Sequence, residues 1–559
     1  MASRFSLMAK SGFRHKLKIA PRWANFSSMS SLVGSIVERT QSSKQMNGAQ
    51  SLICSLVAGG VETCFANPGT SEIHLVAALD RVKEMRCVLG LFEGVATGAA
   101  DGYARMAEKP ACTLLHLGPG LGNGLANLHN ASRASVPIVN LVGQHATYHL
   151  HHDTPLTSDI EAIARPYSKW LRTSKSPSAL GHDAAEAIVA SRAAPGQIAT
   201  LIVPADVAWS EGGTVAALPV LSRPPLPTAA TVEHAAAMLR SGSRTAILLA
   251  GNALYGKGLV TAARIAAATG AKLFAPYPFT RLQRGAGIPR VDRVQYVLEQ
   301  GIEQFKEFRQ LILVGAKAPV AYFAYPGKNS IFTPPDCEIH ALANPGEDYV
   351  GALDSLAAAL SLHDEDVTAD KEERPPMPSG EITLPGMAAA VGALLPENTI
   401  VVDESMTSGR GLMAATQGAP PHDWLGNTGG SIGIALPLAV GAAIACPDRR
   451  VLCLTADGSG MYTPQALWTM AREGLNVTTV VFANHDYAVL KREFSYLGIG
   501  NPGVRAAAMF EIGRPDLEWT LLAQGMGVPG KRVTSLDAFG KALREGFETE
   551  GPTLIEVPL

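Results

Sequence analysis

Short, continuous apolar runs rich in β-branched residues recur along this chain, and a stretch of helical pattern separates each from the next. "CVLGLF" (87–92), "ACTLLHL" (111–117) and "VPIVNLVG" (136–143) come first. "TAILLAG" (245–251), "AKLFA" (271–275) and "QLILVGA" (310–316) follow. "TIVVDE" (399–404), "RVLCLTADG" (450–458) and "NVTTVVFAN" (476–484) come last. Strands that are apolar on both faces, alternating with helices, build parallel sheets covered on both sides. In such sheets, ligands sit beyond the carboxyl ends of the strands.

Two stretches read as linkers. "LPVLSRPPLPT" (218–228) holds four prolines in eleven residues, and "HDEDVTADKEERPPMPSG" (363–380) is charged and then proline-rich. They divide the chain into 46–217, 229–362 and 381–559. The expectation is an α/β protein of three doubly wound parallel-sheet domains. A chain of 559 residues has the length for several cores.

Composition narrows the function classes. Net charge is −2, and no basic stripe with interleaved aromatics is present, which argues against a nucleic-acid partner. The longest apolar run, 432–446, is too short to cross a membrane and contains Pro437, so it reads as a buried helix. Seven cysteines without a CxxC pair argue for reduced thiols. The first 37 residues are basic and serine-rich, with no Asp or Glu before Glu38. Residues 1–45 are therefore expected to be an organellar transit peptide, mitochondrial ahead of plastid; the alternative is that this extension is not real, Met46 opens the protein and it is cytoplasmic.

The chemistry gathers in "LTADGSG" (454–460) and "NHDY" (484–487). Asp457 and Asn484 end two strands joined by one helical crossover, which places their tips on one edge. A carboxylate, an amide oxygen and nearby main-chain carbonyls are hard donors suited to Mg²⁺ that also binds substrate phosphate. Gly458, Ser459 and Gly460 open a turn whose amides would face that phosphate. A plain strand-turn-helix with a capping Asp accounts for the same spacing.

"ADGSGMYTPQALWTMAREGLNVTTVVFANHDY" resembles the Gly-Asp-Gly…Asn motif of thiamine-diphosphate (ThDP) enzymes. "FANPGTSEIHLVAALD", "LFEGVATGAADGYAR" and "LLHLGPGLGNGLANLHNASRASVPIVNLVGQ" resemble that family's pyrimidine-binding domain. The likeness spans about 46–559 and is closest to the acetolactate synthase large subunit and benzoylformate decarboxylase branch. Two departures stand out: Ala456 replaces the first Gly, and Ala483-Asn484-His485 replaces the usual Asn-Asn.

The resemblance implies a pyrimidine-binding, a central Rossmann-like and a diphosphate-binding domain, with ThDP and Mg²⁺ as cofactors. Glu93 would exchange a proton with the cofactor's N1′, its pKa raised by partial burial. As a plain glutamate, it would simply favour a helix N-terminus. Asp457, Asn484 and the main-chain carbonyl of Asp486 would ligate the metal. Ser459, Gly458 and Thr407 would meet the diphosphate. The Gly430 carbonyl and Ile432 would shape the bent cofactor, and Glu404 would border its pocket.

Six of the fourteen histidines lie between His116 and His152. His116 aligns with a proton-handling histidine of benzoylformate decarboxylase, and His151 or His152 matches more loosely the paired histidines of pyruvate decarboxylase. "GPGLGNG" (118–124) has no acidic strand end some twenty positions on, so NAD is not expected. FAD in the central domain is not favoured.

The reading is an enzyme acting on a 2-oxo acid, by decarboxylation with or without carboligation. Simple aldehyde release, or a cofactor-binding paralogue without turnover, are the alternatives. Family members build their sites across two subunits, so a homodimer or homotetramer is expected.

Overall fold

The computed structural model describes residues 46–363 and 371–559. The segment read as a transit peptide lies outside the described residues. Three sheets form the frame. The first has strands β1 (Thr63–Asn67), β2 (Arg86–Leu89), β3 (Ala111–Leu115), β4 (Ile138–Gln144), β5 (Trp170–Thr173) and β6 (Ile198–Pro204), in the order β2-β1-β3-β4-β6-β5. All its pairings are parallel.

The central segment contributes β7 (Thr245–Leu249), β8 (Lys272–Ala275), β9 (Leu282–Arg284), β10 (Asp292–Arg293), β11 (Gln310–Val314) and β12 (Glu338–Ala343). Five of them form the parallel sheet β10-β8-β7-β11-β12. The exception is β9, which leaves its own segment and pairs antiparallel with β14. The last sheet runs β17-β18-β16-β15-β13-β14-β9. Its own strands are β13 (Ile400–Glu404), β14 (His422–Gly426), β15 (Val451–Ala456), β16 (Val477–Ala483), β17 (Gly530–Arg532) and β18 (Thr553–Pro558). An antiparallel edge strand on a parallel sheet is common in doubly wound folds, but three residues borrowed across a linker leave no periodic trace in sequence.

The helix Glu93–Ala107 has no solvent face: every residue from Glu93 to Met106 is buried. It crosses the buried helix Ala435–Ala445, which occupies most of the apolar run 432–446. Small residues make the crossing possible. A Cβ on Gly102 would stand 2.1 Å from the Leu438 carbonyl oxygen, and one on Gly441 would stand 1.9 Å from that of Ala99. One apolar core therefore runs from the first sheet into the last.

Polar ties secure the same junction. Arg105 pairs with Asp101 at 2.7 Å with both side chains fully buried, and it donates to the Gly426 and Thr280 carbonyls at 2.7 and 3.1 Å. All seven cysteines are free thiols. Among the described residues, no helix is long and apolar enough to cross a membrane.

Candidate active site

Parallel strands put all their carboxyl ends on one edge, and the last sheet uses that edge throughout. β15 and β16 are direct neighbours, so Asp457 and Asn484 emerge side by side. Asp457 is buried; its Oδ1 accepts from the Gly458 amide at 2.9 Å and its Oδ2 from the His485 amide at 2.7 Å. Burial raises its pKa, and those two N–H bonds oppose the rise. Asn484 accepts from the Asp486 amide at 3.1 Å. The Asp486 side chain pairs with Lys491, while its buried Oδ1 has no hydrogen-bond partner.

Gly458 and Ser459 lie buried in the short helical turn Asp457–Gly460. The donor set at this edge is one carboxylate, one amide oxygen and main-chain oxygens, which fits a small hard cation completed by phosphate. Among the described residues, no group of three His, Cys, Asp or Glu side chains forms an alternative metal cluster.

The loop 427–433 joins the end of β14 to the helix Ala435–Ala445 and is held from several sides. Asn427 donates to Glu404 at 3.0 Å and to the Ser431 carbonyl at 2.9 Å, and accepts from the Gly430 amide at 2.9 Å. Asn130 accepts from the Ser431 amide and donates to its carbonyl. Glu404 is buried beneath the loop, its carboxylate accepting from the Gly433 and Ala435 amides at 3.1 Å. Burial pushes its pKa up to about 7 against the pull of those amides and of Asn427. Glu404 thus anchors the loop from below. Gly430, in the left-handed region at φ 79°, is exposed, and Ile432 is half-buried. Thr407 lies half-buried in the turn after β13.

The first sheet gathers the remaining predicted residues at its own carboxyl edge. Glu93, 7% exposed, follows β2 and accepts from Asn123 Nδ2 at 3.0 Å. His116 follows β3. Gly120 stands between them: a Cβ there would lie 3.1 Å from Glu93 Oε1 and 3.3 Å from His116 Cβ. Gly120 thus leaves room for these two side chains. His151 and His152 sit exposed in the turn Leu150–His152, their rings 3.8 Å apart.

Three non-glycine residues just past strand ends adopt left-handed backbone: Leu117 (φ 50°), Met406 (φ 49°) and His485 (φ 56°). Strain of this kind concentrates at functional sites. Sequence reasoning missed Asn123, Asn427, Glu72 and Tyr322. Glu72 pairs with His116 at 2.7 Å. The Tyr322 hydroxyl comes from the central domain, and a Cβ on Gly430 would lie 2.1 Å from it. No local pattern marks Tyr322. Asn427 did carry a signal, since it stands at a strand end directly before a glycine turn.

Residues 46–163 match the family described as thiamine pyrophosphate enzyme, N-terminal TPP binding domain, and residues 408–557 match its C-terminal TPP binding domain. A Mycobacterium tuberculosis protein assigned as acetolactate synthase large subunit IlvX is 53% identical over 517 residues, 92% of this chain and 99% of the relative. Benzoylformate decarboxylase of Pseudomonas aeruginosa is 27% identical over 527 residues, 89% of this chain and 96% of the relative. A solved thiamine diphosphate-dependent 4-hydroxybenzoylformate decarboxylase of Rhodococcus jostii shares the fold at a TM-score of 0.79. It is 23% identical, and the match covers 92% of this chain and 99% of that one. The chain belongs to the thiamine pyrophosphate enzyme family, in the branch of acetolactate synthases and benzoylformate decarboxylases. It is an enzyme of that ThDP-dependent class.

Proposed function

We propose that this enzyme uses Mg²⁺ with ThDP to decarboxylate a 2-oxo acid, with or without ligation to a second carbonyl compound. One observation carries the reading: the Asp457 carboxylate and the Asn484 amide oxygen stand together at adjacent strand ends, before a buried turn of small residues. Asp457, Asn484 and the Asp486 carbonyl would hold the metal, and the turn 458–460 with Thr407 would meet the diphosphate. When bound, ThDP supplies an electron sink that lets CO₂ depart from the keto acid.

The chain's own residues handle protons and shape. Glu93, buried beside Asn123, exchanges a proton with the cofactor's pyrimidine ring. The loop 427–433 is locked by Glu404, Asn427 and Asn130 without any ligand, which leaves little ordering for binding to impose. His116, at the same edge as Glu93, delivers a proton to the product carbon. That seated donor favours aldehyde release as the second reading, in which no acceptor is required.

A second copy of the chain completes the site. Glu93 and Asp457 share no hydrogen-bond partner within one chain. Just after the Asp457 turn, Met461 (36%) and Tyr462 (53%) are exposed, apolar groups that a partner would cover. Sedimentation of the holoenzyme is expected to give a dimer or tetramer, and a monomer that turns over would contradict this. To test the function, the protein is incubated with ThDP, Mg²⁺ and a panel of 2-oxo acids while CO₂, aldehyde and acetoin-type products are followed. CO₂ release dependent on both cofactors is expected. No release from any acid of the panel would remove the proposal.

A further inference from the structure

Glu72 has no place in the reading above, yet few side chains in the molecule are more tightly specified. It is fully buried at the end of the turn Thr70–Glu72. Its Oε2 accepts from the Gly69 amide at 2.8 Å and lies 2.7 Å from His116 Nδ1. Its Oε1 has no hydrogen-bond partner. Glycines make room for the arrangement. A Cβ on Gly143 would stand 1.6 Å from Glu72 Oε1, and one on Gly69 would stand 2.2 Å from His116 Nδ1. Carboxylate and ring are thus fixed against each other by backbone that cannot carry a side chain.

We infer that Glu72 is the positioning residue for His116: it holds the ring with the proton on Nδ1 and leaves Nε2 as the nitrogen that exchanges protons with the product. A carboxylate offers only lone pairs, so its partner nitrogen must be the donor. A neutral imidazole has one N–H, and fixing it at one nitrogen frees the other. With Nδ1–H held by Glu72, Nε2 takes up a proton from solvent and passes it to the product carbon; in the other tautomer the Nδ1 lone pair faces the carboxylate's, and the ring is no longer held for that transfer. Packing explains none of this specificity, since an apolar side chain would fill a fully buried position without desolvating a carboxylate. The inference rests on the assignment of His116 as the proton donor, and deepens it.

Two substitutions at one position separate positioning from filling. Glu72→Gln keeps an acceptor oxygen for both Nδ1 and the Gly69 amide, and places its NH₂ where Oε1 has no partner. Glu72→Leu keeps the volume and removes the acceptor. The first readout needs no turnover: ¹⁵N spectra of the histidine-labelled holoenzyme at pH 8, with the His116 resonances identified by their loss in His116→Asn. Wild type and Glu72→Gln are expected to show Nδ1 protonated, and Glu72→Leu a mixture of the two tautomers.

The second readout is steady-state turnover of benzoylformate. Glu72→Leu is expected to lose roughly 10- to 100-fold in kcat with KM within about threefold, as for loss of a partner that orients a functional histidine. Glu72→Gln should keep most of the activity. A bare Nδ1 in wild type would overturn the inference, as would wild-type tautomer and kcat in Glu72→Leu. If Glu72→Leu fails to fold, the wild-type and Glu72→Gln spectra still decide. A wild-type enzyme inactive on every 2-oxo acid but showing protonated Nδ1 would keep the placement of Glu72 and discard the substrate reading instead.

Discussion

Glu93 carries the sharpest prediction at the scale of single residues. Replacing it with Gln keeps its size and its contact with Asn123 while removing the exchangeable proton. Turnover is expected to fall by roughly 100-fold or more, as for loss of a general acid–base group. ThDP should still bind with Mg²⁺, because the residues proposed to hold the metal are elsewhere. Unchanged turnover in a steady-state assay would contradict the role.

Glu404 makes a second prediction, through pH. Its folded pKa of about 7 lies above the ordinary 4.5, so the fold favours the protonated form. Stability from this group is therefore complete below about pH 4.5 and lost as pH rises through 7. The loss is at most roughly 3 kcal/mol, at about 1.4 kcal/mol per unit. Thermal midpoints of the apoprotein at pH 5 and 8 should drop more in wild type than in Glu404→Gln. Equal drops would contradict the assignment.

The strand-end positions of Asp457, Asn484 and Glu93 were legible in the sequence because each stands at the tip of an apolar run, where the chain direction alone fixes its edge. Glu72 and Tyr322 were not. Glu72 reaches His116 across 44 positions, and Tyr322 reaches Gly430 across domains. Both contacts are products of tertiary packing.

At the scale of elements, the crossing of Glu93–Ala107 with Ala435–Ala445 joins the two halves of the cofactor-binding machinery. The small residues of both helices were visible in sequence, and the apolar run 432–446 was read as a buried helix. What it packs against was not visible, because a helix that is apolar all round carries no directional signal. Gly441 faces backbone, which cannot move aside as a flexible side chain would. Gly441→Val is expected to lower the thermal midpoint clearly, by about 1–3 kcal/mol or more of overpacking. Gly525→Val, at an exposed helix end where an added Cβ would meet nothing within 4 Å, serves as control. A midpoint for Gly441→Val no lower than the control's would contradict the close approach. The β9 strand shows the opposite limit of legibility. Three residues with a common burial pattern cannot reveal that they leave one sheet to extend another.

At the scale of the whole molecule, the three parallel sheets were legible from the alternation of apolar runs and helical stretches, and their strand orders were not. Order depends on which crossovers pack over which face, and that is settled by the cores running between sheets. Arg281 illustrates the assembly. From the central segment it reaches Asp423 in β14 at 2.7 Å and Glu108, just after the helix Glu93–Ala107, at 3.0 Å, so one guanidinium ties all three domains. This frame presents the Asp457 carboxylate and the Asn484 amide oxygen together at one edge, the pair proposed to hold a cation beside the cofactor's diphosphate. The most direct measurement is calorimetric titration of ThDP into the apoprotein, with Mg²⁺ and with a chelator, for wild type and Asp457→Ala. Saturable binding that requires the metal and disappears in Asp457→Ala is predicted; equal binding under chelation, or in the variant, would contradict the account.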